Sequence, residues 1–487
     1  MKILMVASEF GSFAKTGGLA DAVYGLSKAL SDKNHEVVVI LPRYYIIDKS
    51  KLKDFGFAFK VNMGILKDIS FGVFEKRLNK NLRLWFVDYE LFFGRKGLYD
   101  DENGSPYTDN GIRFVFLSKA ALEVAKRLNF KPDIVHTHDW HTAFVNALIK
   151  TQYKSDGFFK DTSSVLTIHN LQHQGLFDAS LMNIMGIDWQ HFNPFEFEAL
   201  GMVNLLKGGI RFADAISTVS RRYAEEIQTP QFGCGLDEHL RAHSCRLFGI
   251  INGVDYNLWN PSTDRYIPKN YDIENIEDKI HSKRELQKFF SLEENDKPLI
   301  GFIGRLYEQK GIQLIAEAFD RMMQMEIEFV LLGSGEKWAE EFFKEKARQY
   351  KGKFGCFIGY SEELAHLIEA GCDMFLMPSA FEPCGLNQIY SLRYGTIPIV
   401  HGVGGLVDTV ENFDKEKNKG TGFLFYSFDT SALLNTLNWA LDVYKDKDTF
   451  VNLQKRAMSV RFDWQKQSEK YIKLYEFAKI YRFLKDG

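Results

Sequence analysis

Ile3-Leu4-Met5-Val6-Ala7, Lys15-Thr16-Gly17-Gly18-Leu19-Ala20-Asp21 and Val37-Val38-Val39-Ile40-Leu41 decide how this chain folds. The first run is uninterruptedly apolar and short, which predicts a buried strand. Gly17 to Leu30 carries Leu19, Val23, Leu26 and Leu30 at helical spacing, and Val37 to Leu41 is a second buried strand. Strand, helix and strand in that order make a parallel βαβ unit with a right-handed crossover. Further strands are expected at 84–87, 134–136, 165–168 and 215–219, with helical segments between most of them. The economical reading is a doubly wound α/β domain.

The alternation pauses near Ile250-Ile251-Asn252-Gly253-Val254-Asp255, passes through Trp259-Asn260-Pro261, and continues in a charged segment to about Lys297. It then restarts with strands expected at 299–303, 329–332, 356–358, 374–377 and 397–400. Two Rossmann-like domains follow, 1–250 and 251–462, with the helical segment 463–487 a candidate to join the first. A chain of 487 residues exceeds what one core usually supports, and an apolar content of 45 % lets both domains bury well.

Composition excludes several function classes. The net charge of −3 conceals no basic block, so neither nucleic acid nor an anionic membrane is an expected partner. Cys234, Cys245, Cys356, Cys372 and Cys384 are scattered without Cys-x-x-Cys spacing, against a disulfide framework or zinc ribbon. With no signal-peptide pattern at the start and no apolar run of spanning length, a reducing cytoplasm is the expected location.

In open α/β sheets ligands bind beyond the carboxyl ends of the strands. Lys15, Gly17 and Gly18 lie there: glycines let backbone approach an oxygen-rich ligand, a helix start attracts an anion, and Lys15 adds charge. The alternative is a glycine turn with a solvated lysine. The stretch is neither a P-loop nor a Gly-x-Gly-x-x-Gly fingerprint.

Arg305 and Lys310, in Gly304-Arg305-Leu306-Tyr307-Glu308-Gln309-Lys310-Gly311, could converge on a diphosphate and offset the charge it gains on leaving. The alternative is a surface pair satisfied by nearby acids. Glu382 in Glu382-Pro383-Cys384-Gly385-Leu386-Asn387 can hold sugar hydroxyls or oppose a cationic sugar carbon while the following amides hold phosphate, or it can simply cap a helix. The two charged turns, at opposite ends of the chain, are expected to share one cleft.

His138 and His141 lack companion ligands for a metal, so Asp139 and Trp140 are read as sugar-site residues, and His169-Asn170 likewise, against the alternative of a core histidine. Cys384 is expected to pack rather than react.

Taken in order, Lys15-Thr16-Gly17-Gly18-Leu19-Ala20-Asp21, His138-Asp139-Trp140-His141, Thr167-Ile168-His169-Asn170, Gly233-Cys234-Gly235-Leu236-Asp237, Ile251-Asn252-Gly253-Val254-Asp255, Gly304-Arg305-Leu306 with Gln309-Lys310-Gly311, and Glu382-Pro383-Cys384-Gly385-Leu386-Asn387-Gln388 resemble the bacterial glycogen synthases and plant starch synthases. These are retaining glucosyltransferases of the GT-B fold, two Rossmann-like domains facing across a deep cleft. The resemblance spans nearly the whole chain.

It implies transfer of glucose from ADP-glucose to the nonreducing 4-hydroxyl of an α-1,4-glucan with the anomeric configuration kept, no cofactor and no metal. By the same likeness Arg305 and Lys310 hold the diphosphate, helped by amides of Gly18, Leu386 and Asn387. Glu382, Asp139, Asn252 and His169 contact the glucosyl group, with the backbone carbonyl of His169 by the anomeric carbon. Tyr360 stacks on adenine, Lys15, Glu9 and Asp21 line the first domain's side, and Gly17, Cys384, Gly385, Gly404 and Gly405 complete the substrate contacts.

No pair of carboxylates for double displacement is implied, so a front-face route is expected. His401-Gly402-Val403-Gly404-Gly405-Leu406 replaces the Arg-x-Thr-Gly-Gly-Leu of many bacterial members and resembles the soluble plant form. Ala22, Arg221-Arg222 and Glu238 also depart from common versions, the last three near a loop expected to touch the acceptor. The competing readings are a UDP-glucose or different-acceptor transferase on the same fold, and a noncatalytic glucan-binding relative.

Overall fold

The structure, a computed structural model, describes residues 1–486. It divides into two compact units, Met1–Gly253 with the segment from Trp464 onward, and Val254–Asp463. The break falls three residues later than the expected boundary, so Ile251, Asn252 and Gly253 belong to the first unit.

In the first unit, Lys2–Val6 pairs in parallel with Glu36–Pro42 on one side and with Ile134–His138 on the other. The sheet extends through Leu82–Asp88 at one flank and through Ser163–Ile168, Ala215–Thr218 and Leu247–Gly249 at the other. Numbered from the unit's own first strand, the parallel strands run 3-2-1-4-5-6-7. The order therefore reverses between Lys2–Val6 and Ile134–His138, and the crevice beyond their carboxyl ends is where such a sheet takes ligands.

The crossover helix Gly18–Asp32 buries Val23, Leu26 and Leu30 and leaves Leu19 half-buried, close to the face that its spacing predicts. Two antiparallel additions lie outside the predicted pattern. Asp68–Arg77 pairs antiparallel with Leu82–Asp88, and Leu176–Asp178, Met202–Asn204 and Glu198–Ala199 form a small separate sheet.

In the second unit the strands Phe354–Ile358, Glu328–Gly333, Leu299–Ile303, Met374–Met377, Ile397–His401 and Phe423–Phe425 are all parallel and run 3-2-1-4-5-6. Here the reversal lies between Leu299–Ile303 and Met374–Met377. The last strand, Phe423–Phe425, was not anticipated: three residues are too few to show a period. Each unit encloses its own apolar core.

The closing helix, Trp464–Asp486, joins the first core through Trp464, Tyr471, Leu474, Tyr475 and Ala478. Its anchor is the buried Trp464 indole, which lies so close to Gly25 that a β-carbon there would collide with it. A β-carbon at Gly253 would likewise come within 2.6 Å of the same ring. Trp464→Ala should cost about 3–5 kcal/mol, read as a lower denaturant midpoint, because it empties a ring-sized space that glycine cannot refill.

Candidate functional site

The first unit's candidate residues begin where Lys2–Val6 ends. Ser8 and Glu9 are buried, and the chain bends back through Gly11, whose φ of +44° favours glycine. The turn then returns at Lys15-Thr16-Gly17. Glu9 holds it: its carboxylate accepts from the Thr16 backbone N–H at 2.7 Å and the Thr16 hydroxyl at 2.6 Å, while the Tyr99 hydroxyl donates to it at 2.8 Å.

The expectation that Glu9 lines the ligand side thus gives way to a holding role, since both its oxygens serve the turn's own groups. Gly17 caps the helix Gly18–Asp32 without a side chain to satisfy the first-turn amides, and open space surrounds the place its β-carbon would take. Exposed Lys15 pairs with Asp21 at 2.8 Å. The cation at this turn is thus already balanced within the unit.

Beside it, at the other strand of the reversal, Asp139 opens the helix Asp139–Lys150 with a φ of +54°, unusual for a residue with a side chain. Its buried carboxylate accepts the His169 backbone N–H at 2.7 Å. Burial raises its pKa to about 7 against the opposing pull of the His169 and Asn170 amides. Asp139 therefore fixes the backbone around His169.

Burial also drives His136 and His169 down to about 3 and His138 well below its usual value, so these rings are neutral near pH 7. Asn252 is buried in this unit, and its Oδ1 has no hydrogen-bond partner among the described residues.

The second unit's candidate residues gather at its own reversal. Arg305 follows Leu299–Ile303 and is exposed, its guanidinium 5.7 Å from the Tyr307 ring. The turn Glu308–Lys310 closes on Gly311, at φ +72°, which packs so tightly on the Pro378 carbonyl that no side chain fits. That close approach sets the turn against the loop after Met374–Met377: the Ala380 N–H donates to the Gln309 carbonyl at 2.9 Å.

The result is an ion pair of 2.6 Å between Lys310 Nζ and the largely buried Glu382, whose same oxygen accepts from Ser379 at 3.1 Å. Asn387 begins the helix Asn387–Tyr394 and donates to the Ile303 carbonyl at 2.8 Å, tying it to the first strand.

Gly385, at φ +69°, Leu386 and Asn387 form the helix entry. Gly405, which with Gly404 opens the short helix Gly404–Thr409, lies against the Cys384 backbone, where a β-carbon would intrude, and its N–H donates to the Glu382 carbonyl at 2.9 Å. Buried His401 sits 2.7 Å from the Ser379 carbonyl, so the residue that departs from the bacterial motif supports the Glu382 loop. Cys384 is buried, and Tyr360 stands 80 % exposed just beyond Phe354–Ile358.

The structure thus groups Arg305, Lys310, Glu382, Gly385, Leu386, Asn387, Gly404 and Gly405 at one sheet end, and Lys15, Gly17, Gly18, Asp21, Asp139 and His169 at another. Tyr99, Ser379 and His138 were not singled out in their own right. The contacts of Tyr99 with Glu9 and of His138 with His169 are long-range and leave no local pattern, whereas Ser379 reaches Glu382 from only three residues away and His138 sits within the histidine cluster that the sequence displays.

The buried histidines set a pH dependence. A base whose folded pKa is depressed contributes fully above its unfolded value of about 6.5 and loses that contribution as pH falls toward the folded value. His136, His138 and His169, joined by buried His141, all act in this sense. Asp139 opposes them, because its folded form takes a proton near pH 7 while the unfolded chain waits until about pH 3.9. Buried Glu369, raised to about 8, opposes them likewise, but His239 and His243, lowered to about 4 and about 3, add to the histidine side, and the larger number leaves a net loss below about pH 6.5, up to about 1.4 kcal/mol per pH unit for each unopposed group. The melting temperature should fall between pH 7.5 and 5, more steeply in Asp139→Asn and less steeply in His136→Asn.

Comparison with known proteins agrees with the two-unit α/β fold. The family described as "Starch synthase catalytic domain" matches residues 2–242, and "Glycosyl transferases group 1" matches 283–457. "Glycogen synthase 1" of Geobacter metallireducens is 46 % identical over 480 residues, covering 98 % of this chain and 95 % of the relative. "Glycogen synthase" of Treponema denticola is 43 % identical, covering 98 % of both.

The solved catalytic domain of starch synthase IV from Arabidopsis thaliana, bound to ADP and acarbose, matches with a TM-score of 0.89 at 33 % identity, covering 98 % of this chain and 99 % of that one. A sucrose-phosphate synthase from Thermosynechococcus elongatus shares the fold at a TM-score of 0.60 and 16 % identity, covering 98 % of both chains. With full-length relatives of this identity, the chain belongs to the glycogen synthase and starch synthase family of GT-B glycosyltransferases.

Proposed function

We propose that this protein is a glycogen synthase that transfers glucose from ADP-glucose to the nonreducing 4-hydroxyl of an α-1,4-glucan with retention of configuration. The observation that carries the reading is the Lys310–Glu382 pair with Arg305, set at the point where the second unit's strand order reverses. The full-length likeness to glycogen synthases and to a starch synthase solved with ADP supports the donor and the acceptor class.

Arg305 and Lys310 neutralise the diphosphate as the bond from the anomeric carbon to its oxygen breaks, and the backbone amides at Leu386 and Asn387 add donors for the same oxygens. Glu382 holds the sugar and the charge of Lys310 together. The acceptor hydroxyl attacks from the face the ADP leaves, a new carbon–oxygen bond forms, and the hydroxyl proton passes to the departing phosphate oxygen. The His169 carbonyl, fixed by Asp139, faces the positive charge that develops on the sugar. Tyr360 stacks on adenine.

The reaction needs no cofactor, its positive charge coming from side chains, and the enzyme works in the cytoplasm. No helix among the described residues is long and apolar enough to cross a membrane, and no group of three His, Cys, Asp or Glu is placed to hold a metal.

Incorporation of labelled glucose into glycogen at matched ADP-glucose and UDP-glucose should favour the adenine donor and persist in EDTA. Activity with the uridine donor alone would overturn the base assignment. Lys310→Ala should lower kcat by about 100-fold or more; wild-type activity unchanged by that substitution would remove Lys310 from the diphosphate. No transfer from either donor would leave the noncatalytic glucan-binding reading.

A further inference from the structure

Behind His169 lies a continuous buried polar chain. The Tyr475 hydroxyl, from the closing helix, is 2.9 Å from His136 Nδ1, and His136 Nε2 is 2.6 Å from Thr167 Oγ1, which meets Ser217 Oγ at 2.7 Å. The His136 ring lies against that of His138, with centroids 4.3 Å apart. His138 Nδ1 is in turn 3.1 Å from His169 Nε2. His138 is only 1 % exposed, and its Nε2 has no hydrogen-bond partner among the described residues.

Two imidazoles in contact through bare nitrogens repel, so one must supply a proton, and both rings are held neutral by burial. Were His169 Nε2–H the donor, His138 would carry its own proton on Nε2, a buried N–H with nothing to bond. With His138 Nδ1–H as donor, what remains unpaired is a bare ring nitrogen. Orphaned buried donors are rarer than under-satisfied acceptors, so the second arrangement is favoured. It fixes His169 as the tautomer with its proton on Nδ1.

We propose that His138 is a positioning residue for glucosyl transfer: its Nδ1–H donates to His169 Nε2, locking the tautomer and ring of His169 so that this side chain offers a hydrogen-bond donor to the sugar. The proposal rests on the reading of His169 as a substrate contact. His136, braced between Tyr475 and Thr167, supports the back of the His138 ring. Asp139, the next residue, fixes the His169 backbone, so consecutive side chains hold the ring and the main chain of one residue.

Asparagine can place an amide N–H where His138 Nδ1 stands, whereas leucine cannot. His138→Leu should lower kcat by about 10- to 100-fold, as loss of an orienting partner commonly does, with ADP affinity and glucan KM little changed, and His138→Asn should restore most of that loss. In the wild-type enzyme, nitrogen-15 NMR of labelled histidine, with the His169 signal identified by its absence in His169→Gln, should show His169 protonated on Nδ1.

A His169 proton on Nε2, full kcat in His138→Leu, or equal impairment of the folded leucine and asparagine variants would overturn the proposal. Should the leucine variant fail to fold, the wild-type spectrum still decides. Should the wild type lack transfer activity, the proposed function fails while the same spectrum reports the tautomer independently.

Discussion

A carboxylate as buried as Glu382 must be met by a cation or by hydrogen-bond donors, and the second unit meets it with Lys310 by pressing a turn from one side of its strand reversal against a loop from the other. The Lys310–Glu382 pair depends on Gly311 passing flush against the Pro378 carbonyl, on the Ala380 to Gln309 hydrogen bond, and on Gly405 lying against Cys384. Removing one member of such a pair strands the other, at a cost of about 3–5 kcal/mol when burial is complete, so the lysine is part of the fold as well as of the chemistry.

The first unit solves a different problem with the same topology. Its carboxylates, Glu9 and Asp139, are buried without a facing cation and are stabilised by hydrogen bonds to them from backbone and side chains. In this role they shape loops: Glu9 sets the Thr16-Gly17 turn from which the helix Gly18–Asp32 departs, and Asp139 sets the main chain at His169. The surrounding histidines stay neutral because burial disfavours their charge.

These differences mark the limit of what residue type and spacing convey. Ile3 to Ala7, Val37 to Leu41 and Met374 to Met377 were legible as strands because they are buried on both faces and read as unbroken apolar runs. Asp68–Arg77 was not, although Ile69, Phe71 and Val73 alternate, because its outer positions carry Gly72 and Phe74 and blur the period. The charged turns were legible as loops at strand ends because they directly follow apolar runs. That Glu9 and Asp139 face backbone was hidden, since an aspartate that will hold an amide and one that will meet a sugar are the same letter. Tyr99 reaches Glu9 across 90 positions of sequence, a contact that no local pattern announces.

The strand order 3-2-1-4 recurs in both units, built from unrelated residues. What the order fixes is a gap between two loops at the carboxyl ends of strands 1 and 4. What fills the gap is free to differ: cations and a single shared carboxylate in the second unit, neutral rings and backbone-holding carboxylates in the first. The division matches the chemistry proposed. In the proposed reaction a departing diphosphate needs compensating charge, which Arg305 and Lys310 would bring. A sugar that becomes cationic for an instant is better faced by a fixed carbonyl and neutral donors than by a full positive charge, and the depressed basicity of His136, His138 and His169 keeps such a charge away from it.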